Sequence, residues 1–431
     1  MKILRLLPLL LASWLAACGD LGAIDDARVR LVNATSDGYE QLDLLLDGDR
    51  EIAAVAVGSV SGYTGVDDGE YTVALARPPS TTALAAAQRT LADDTDHTVV
   101  AYGRVGSLKT VMLVDDEPRP ASGKAKLRVL NAGSDAGALD VYLTAPGDAL
   151  DDASAVAAAV AADATSDYAT LNAGRYRLRV TAAGDRDDVR LDVDGVALDA
   201  RRVATLLLTG TPGGVLVNAA LVNQGGALQN LPTAAARVRV VAAIGGGARV
   251  NVRAGERLLA ADVASPQIGA YTLLPAGTHP LGVGVAAGGT ELTLPALPLL
   301  DAAAGADLTL LVAGTVDAPV LRVIADDNRR PTAADKAKLR VLHAVAGLDE
   351  AIALSVGFTP LGSAAFGEAS APVQHAAGSD QQLAVTSPTP PAVKFADPDV
   401  TLDAGGVYTV FLLGSAADMP ASLAGSVRKD R

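Results

Sequence analysis

Apolar and polar residues alternate along most of the chain in short runs, broken every ~8–12 positions by Gly, Pro, Asn or Asp. That period of two predicts half-buried β-strands joined by turns. One run recurs. RVRLVNA at 28–34 reappears as KLRVLNA at 126–132, RVRVVAA at 237–243 and KLRVLHA at 338–344. The second and fourth copies extend to KAKLRVLNA (124–132) and KAKLRVLHA (336–344). Copies roughly 100 residues apart are too widely spaced for a solenoid and suit tandem domains that each bury a core.

Two further motifs recur inside each unit. YTGVDDGEYTVAL (63–75), YATLNAGRYRLRV (168–180) and YTLLPAGTHPLGV (271–283) share a Tyr, an apolar residue three positions on and a Gly six positions on. Gly69, Gly174 and Gly277 supply the positive φ of a tight turn, and the pattern predicts a hairpin. Tyr63, Tyr168 and Tyr271, and Tyr71 with Tyr176, read as packing residues that brace it. The fourth unit keeps Gly378 in a degenerate copy, APVQHAAGSDQQLAV (371–385). HTVVAYG (97–103), VATLLLTG (203–210), ADLTLLVAG (306–314) and VYTVFLLG (407–414) are almost uninterrupted aliphatic runs, as expected of central strands buried on both faces. In units one and three a further strand ends in acids, KTVMLVDDEPRP and VLRVIADDNRRP, and leads straight into the next opening motif. Units one–two and three–four therefore read as a duplicated pair.

Two stretches resist the simple alternation. DALDDASAVAAAVAADAT (148–165) is Ala-rich, which favours helix by propensity. Its place in the unit matches the alternating DREIAAVAVGSV (49–60), so a strand is expected, with a local helix as the alternative. In the opening strands Val29, Leu127, Val238 and Leu339 face one way and the flanking basic residues the other. Val32, Leu130, Val241 and Leu342 nevertheless fall on the basic face. A β-bulge is the expected cause, with a contact to a neighbouring domain as the alternative.

The fold expected is all-β: four tandem immunoglobulin-like β-sandwich domains in a row. The units span residues 27–123, 124–232, 233–336 and 337–431, after a leader (1–17) and a tether (18–26). KLRVLNAGSDAGALDVYL (126–143), the Tyr-to-Gly segment (168–180) and TVVAYGRVGSLKTVMLVDDEPRP (98–120) resemble a secreted bacterial family, domain of unknown function 4397. That resemblance implies β-sandwich repeats of the envelope or cell surface, without an established activity or catalytic residues.

The leader fixes the expected address. Lys2 and Arg5 precede an apolar run from Leu6 to about Ala17, too short to cross a bilayer. This is the form of a secretory signal peptide. It ends Leu15-Ala16-Ala17-Cys18, which resembles the lipobox of bacterial lipoproteins, in which the cysteine is acylated. Cys18 is the single cysteine, so it is the expected lipidation site and no intrachain disulfide is possible. The partner expected there is the membrane, reached through several acyl chains such as palmitate. Gly19 rather than Asp after the cysteine implies outer-membrane retention.

The formal net charge is −14, and loss of Lys2 and Arg5 makes the mature chain more acidic still. That excludes nucleic acid as a natural partner. Hydrophobic residues make up 50% of the chain, enough to stabilise sandwiches by burial alone.

No chemistry stands out. His97, His279, His343 and His375 lie nowhere near one another at metal-ligand spacing. His343 aligns with Asn33, Asn131 and Ala242, and His279 with Tyr71 and Tyr176. No nucleophile elbow occurs, and Gly213-Gly214 and Gly245-Gly246-Gly247 lack the Lys-Ser/Thr of a phosphate loop. The Asp pairs starting at Asp67, Asp93, Asp115, Asp151, Asp187 and Asp326 read as turn residues. A rigidifying calcium at the Asp115 and Asp326 junctions is the alternative. Aromatics amount to 3%, too few for a carbohydrate platform. The expectation is a non-enzymatic, lipid-anchored envelope protein without cofactor, acting as a structural, adhesion or interaction scaffold for a partner not yet identified. The alternative is a periplasmic or surface protein binding glycan or peptide.

Overall fold

The computed structural model describes residues 27–388, 390, 392–418 and 423–431. The leader, the tether and Cys18 lie outside the described residues. The fold is all-β, and eight principal sheets pair into four sandwiches.

Unit one sets the pattern. Its opening strand, Ala27–Thr35, runs parallel to the central strand Asp96–Gly103, with Arg30 opposite Thr98. The closing strand Lys109–Val114 continues that sheet antiparallel. The outer sheet orders Asp49–Ala56, Gln41–Leu46, Gly69–Ala76 and Ala83–Leu91. Alternation sends Val29, Leu31, Val99 and Ala101 inward against Leu42, Leu44, Val73 and Leu75, and these form the unit's own core. The other units repeat the parallel pair in the same register, Arg128 opposite Thr205, Arg239 opposite Thr309 and Arg340 opposite Thr409. Closing strands also occur in units two and four, Val217–Asn223 and Ala424–Lys429.

The opening strands carry no bulge. Their pairing with the central strands is uninterrupted, and Val32, Leu130, Val241 and Leu342 are each 0% exposed because a neighbouring unit covers them. Val32, Val100, Tyr102 and Leu113 of unit one pack against Leu130, Leu207, Ala220 and Val222 of unit two. Val241, Leu311 and Ala313 of unit three pack in the same way against Leu342, Phe411 and Leu413 of unit four. Burying one such side chain stabilises by about 1.5–3 kcal/mol, which explains apolar residues on an otherwise basic face. Central strands are thus buried on both faces, one by the unit's own core and one by the neighbour. The sandwiches do not hang in a row; they stack face to face, each pair four sheets deep.

Bulges do occur, on the outer sheets. Ala54, Ala159 and Asp262 adopt φ of 51°, 48° and 49°. Each donates its backbone N–H to a side-chain oxygen on the adjacent strand: Asp43 at 2.7 Å, Asp140 at 2.6 Å and Asn251 at 2.7 Å. In the Ala-rich stretch, Ala157–Val160 is a strand and the rest turn and loop. No helix forms there, because Ala157 and Val160 are drawn into the core of unit two.

The Tyr-to-Gly segment is not a hairpin. In unit one Thr64–Val66 pairs with the opening strand, whereas Gly69–Ala76 pairs with Gln41–Leu46 in the outer sheet. The chain changes sheets at the glycine, whose φ is 150° at Gly69 and 132° at Gly277, values open to glycine alone, whereas Gly174, against expectation, turns the same corner without a positive φ. Alternation on both sides of a corner looks the same as alternation on both sides of a hairpin.

Candidate functional site

The arginine at the third position of each opening motif sits at the seam between paired units. Arg30 Nε donates to Thr98 Oγ1 at 2.8 Å, and the Arg30 side chain is 3% exposed. Asp115 accepts from Arg30 at 3.1 Å, from the Tyr63 hydroxyl at 2.5 Å and from Thr98. Arg30 also reaches across the seam to the carbonyls of Asn223 and Gly226 in unit two. Its guanidinium lies 4.6 Å from the Tyr63 ring centroid. Burial, and then the Asp115 hydrogen bond, push the Tyr63 hydroxyl well above its ordinary value.

The same bracket recurs with substitutions. In unit two Arg128 bonds Thr205 and stacks on Tyr168, with Gln224 in place of the aspartate. In the second pair the carboxylates are exchanged. Arg239 of unit three bonds Thr309 at 2.8 Å and Asp430 of unit four at 2.5 Å. Arg340 of unit four bonds Thr409 at 3.0 Å and Asp326 of unit three at 2.5 Å. Tyr271 donates to Asp326 at 2.6 Å, and unit four has Pro372 where the others have tyrosine. Tyr63, Tyr168 and Tyr271 therefore brace the seam, not the turn. Asp115 and Asp326 are saturated by Arg, Tyr and Thr. Among the described residues no group of three His, Cys, Asp or Glu is placed to hold a metal.

The other recurring residues fall where their alignment put them. Tyr71 and Tyr176 donate back to the carbonyls of Asp67 (3.0 Å) and Asn172 (2.7 Å), and His279 Nε2 contacts Pro275 O at 2.8 Å. These three brace the corner. Asn33 and Asn131 tie the end of the opening strand to loop and outer-strand carbonyls, Val55 and Val160 among them, at 3.0 Å. His343 repeats the geometry. Its Nδ1 accepts from Val345 N–H at 3.2 Å, so Nε2–H donates to Leu348 O at 3.0 Å. Burial pulls its pKa down and keeps it neutral. His97 is buried at the start of its central strand.

The two pairs meet at unit two. Residues 327–331 thread between loops of units one and two: Arg329 pairs with Asp37 at 3.2 Å, Arg330 N–H donates to Asp135 at 2.7 Å, and Asn328 N–H to Gly213 O at 3.1 Å. A Cβ on Gly213 would lie 2.7 Å from Asp307, and one on Gly214 2.5 Å from Arg329, so glycines are required at this junction. Beside it a cleft of about 510 Å³ opens between units two and three and the last residues of unit four. Arg190, Arg237, Arg257, Tyr271, Asp430 and Arg431 line it. An adjoining hollow of about 410 Å³ shares Val189, Arg190, Arg257 and Leu273. Asp307 beneath it is 1% exposed, and burial pushes its carboxyl up to about 6 despite Arg237 at 3.4 Å and an Asn328 hydrogen bond at 2.7 Å. Burial and the nearby Arg190, Arg330 and Arg237 draw the Arg431 guanidinium down to about 9.

The sequence analysis missed these groups. A signal for the bracket existed, since an arginine in every opening motif stands opposite a threonine in every central strand. None existed for the cleft, which joins residues remote in sequence, and whose Arg190, Arg257 and Arg431 have no repeat partners.

Paired sandwiches held by repeated buried brackets define a tandem β-sandwich protein built from one recurring unit. The family model described as "Domain of unknown function (DUF4397)" matches residues 27–142 and 236–351, more than half of the chain. The chain belongs to that family. No curated protein matches it in sequence. Among solved structures it is similar to a Bacteroides uniformis ATCC 8492 protein described provisionally as a cell adhesion protein. That likeness has 12% identity and a TM-score of 0.23, over 48% of this chain and 99% of the other. It is also similar to the Bacillus anthracis TIE protein, at 11% identity and a TM-score of 0.14, over 90% of this chain and 68% of the other. Scores this low carry no functional weight. Among the described residues no helix is long and apolar enough to cross a membrane.

Proposed function

We propose that the protein is a non-enzymatic scaffold of the bacterial envelope, anchored by acyl chains on Cys18, that presents its inter-strand loops for adhesion or interaction at the outer membrane. The observation that carries this reading is the fusion of sandwiches through seam cores. Seams of this kind stiffen each pair, and a stiff body holds loops at a fixed distance from its anchor. The buried ion pairs Arg30–Asp115, Arg239–Asp430 and Arg340–Asp326 lie at those seams. The leader and Leu15-Ala16-Ala17-Cys18 support the anchor.

The test has two arms in cells. A Cys18→Ala variant is expected to lose palmitate labelling and leave the membrane fraction. Deletion of the whole gene is expected to alter adhesion or envelope integrity. Unchanged fractionation of the Cys18→Ala variant overturns the anchor. A deletion strain with wild-type adhesion and envelope integrity overturns the scaffold.

A further inference from the structure

We propose that the cleft where units two, three and four meet is a binding site for a doubly charged tetrahedral oxyanion, a phosphate or sulfate group, free or esterified to a sugar. This site does not depend on where the chain is anchored.

The argument starts from charge matching. Three of the carboxylates around the cleft are already engaged. Asp188 bonds Arg190, Asp430 bonds Arg239 and Thr409, and Asp307 bonds Asn328 and faces Arg237. Two cations are not matched. Among the described residues Arg431 makes no ion pair and spends one nitrogen on the carbonyl of Gly214. Arg257, at the rim of both hollows, has no hydrogen bond or ion pair among the described residues. Two guanidinium groups without an anionic partner call for a dianion, not a single carboxylate.

Arg190 Nε and Arg237 Nη1 are buried without a hydrogen-bond acceptor, Arg237 Nη1 standing 3.4 Å from Asp307, so positive charge also stands behind the wall of the cleft. Guanidinium forks match tetrahedral oxyanions with paired N–H donors. Asp187 lies exposed at one edge, so the ligand enters from the side of Arg257 and Arg431. The volume, about 510 Å³, exceeds what a bare ion needs and leaves room for an attached sugar. A crowd of arginines is notable in a chain of net charge −14. Burial depresses the Arg431 guanidinium most, and Arg190, Arg330 and Arg237 add to it, in keeping with positive charge gathered there.

The experiment is calorimetric titration of the purified full chain with inorganic phosphate, sulfate, glucose 1-phosphate and glucose, against sodium chloride of matched ionic strength. One-site saturable binding is expected for the first three probes and none for glucose or chloride. Arg431→Met and Arg257→Met are each expected to weaken binding by about tenfold. Arg119→Met, an exposed arginine outside the cleft lining, is expected to bind as the parent does. Because Arg257 is exposed, its variant remains informative if Arg431→Met unfolds. Tighter binding of glucose 1-phosphate than of phosphate supports an esterified ligand, and equal binding supports the free ion. The proposal is overturned by absence of saturable binding, by undiminished binding in Arg257→Met, or by an equal loss in Arg119→Met.

Discussion

Replacing Asp430 by Asn should loosen unit three as well as unit four. Asp430 and Arg239 are 2% and 3% exposed, and the carboxylate accepts from Arg239 at 2.5 Å and from Thr409 at 2.5 Å. An amide oxygen cannot supply both bonds, and it removes the negative charge. The nearest remaining carboxylate to Arg239 is Asp326, at 3.8 Å and already held by Arg340 and Tyr271. Removing one member of a buried pair costs about 3–5 kcal/mol, mostly because the surviving charge stays desolvated. The surface pair Arg28–Asp96, with side chains 58% and 21% exposed, gives the contrast. Its Asp96→Asn variant should cost no more than about 1 kcal/mol. Urea denaturation measures the totals and hydrogen exchange locates them. Protection should fall in the central strands of both units, Asp307–Gly314 and Val407–Ser415. Replacing both partners, Arg239→Met with Asp430→Leu, should recover most of the loss. Protection lost in unit four alone, or a double variant no better than the single one, would refute the reasoning.

Asp307 gives a pH signature. Its folded value, about 6, stands above the ordinary carboxylate value, so the folded state binds more protons than the unfolded state between about pH 4 and 6. Stability therefore falls as pH rises through that window, by about 3 kcal/mol in all. Asp307→Asn should flatten that slope in urea titrations taken at several pH values. His343 works in the opposite direction, since its depressed pKa makes stability fall as pH drops below about 6.5. His343→Asn restores the residue of units one and two and should hold stability within about 1 kcal/mol, while His343→Ala should lose about 2–3 kcal/mol in the same assay. Phe411, 0% exposed at the second seam with Arg239 5.1 Å from its ring centroid, should cost about 3–5 kcal/mol on replacement by Ala, read as a lower urea midpoint.

Much of the fold was legible because period-two alternation and glycine corners are local signals. Four opening strands, four central strands and the degenerate fourth unit followed from the residues alone. The errors came where two geometries leave the same local trace. A corner and a hairpin both place alternating residues around Gly69. An apolar residue on a basic face, as at Val32 or Leu342, fits either a bulge or a covered face. Only the partner across the seam decides, and it lies about 100 residues away. The cleft was illegible for a related reason. Arg190, Arg257 and Arg431 come from three units and repeat nowhere, so no internal comparison marks them.

The placement of Val32, Leu130, Val241 and Leu342 bears on what was copied. A lone sandwich with such residues uncovered would present an apolar sheet face to water, together with a desolvation-prone arginine. The exchange of carboxylates between Arg239–Asp430 and Arg340–Asp326 works only when two units face each other. The family model agrees in extent, since each match starts on an opening strand of unit one or three and runs across the seam into the next unit, ending at 142 and 351. Unit two departs at the bracket carboxylate, with Gln224 for the aspartate, and its Gly213 and Gly214 help to hold the two pairs together. Gln224 leaves Asp115 to its own Arg30, so the first bracket crosses its seam by bonds to carbonyls where the second crosses by exchanged charges, and the ion pairs joining units one and two, Arg104–Asp135, Lys109–Asp163 and Lys126–Glu117, lie outside the bracket. The two brackets should therefore differ in their response to acid although the apolar cores beside them are alike. The stable module in this chain is the pair, and the single sandwich is only the repeat from which the pair is made.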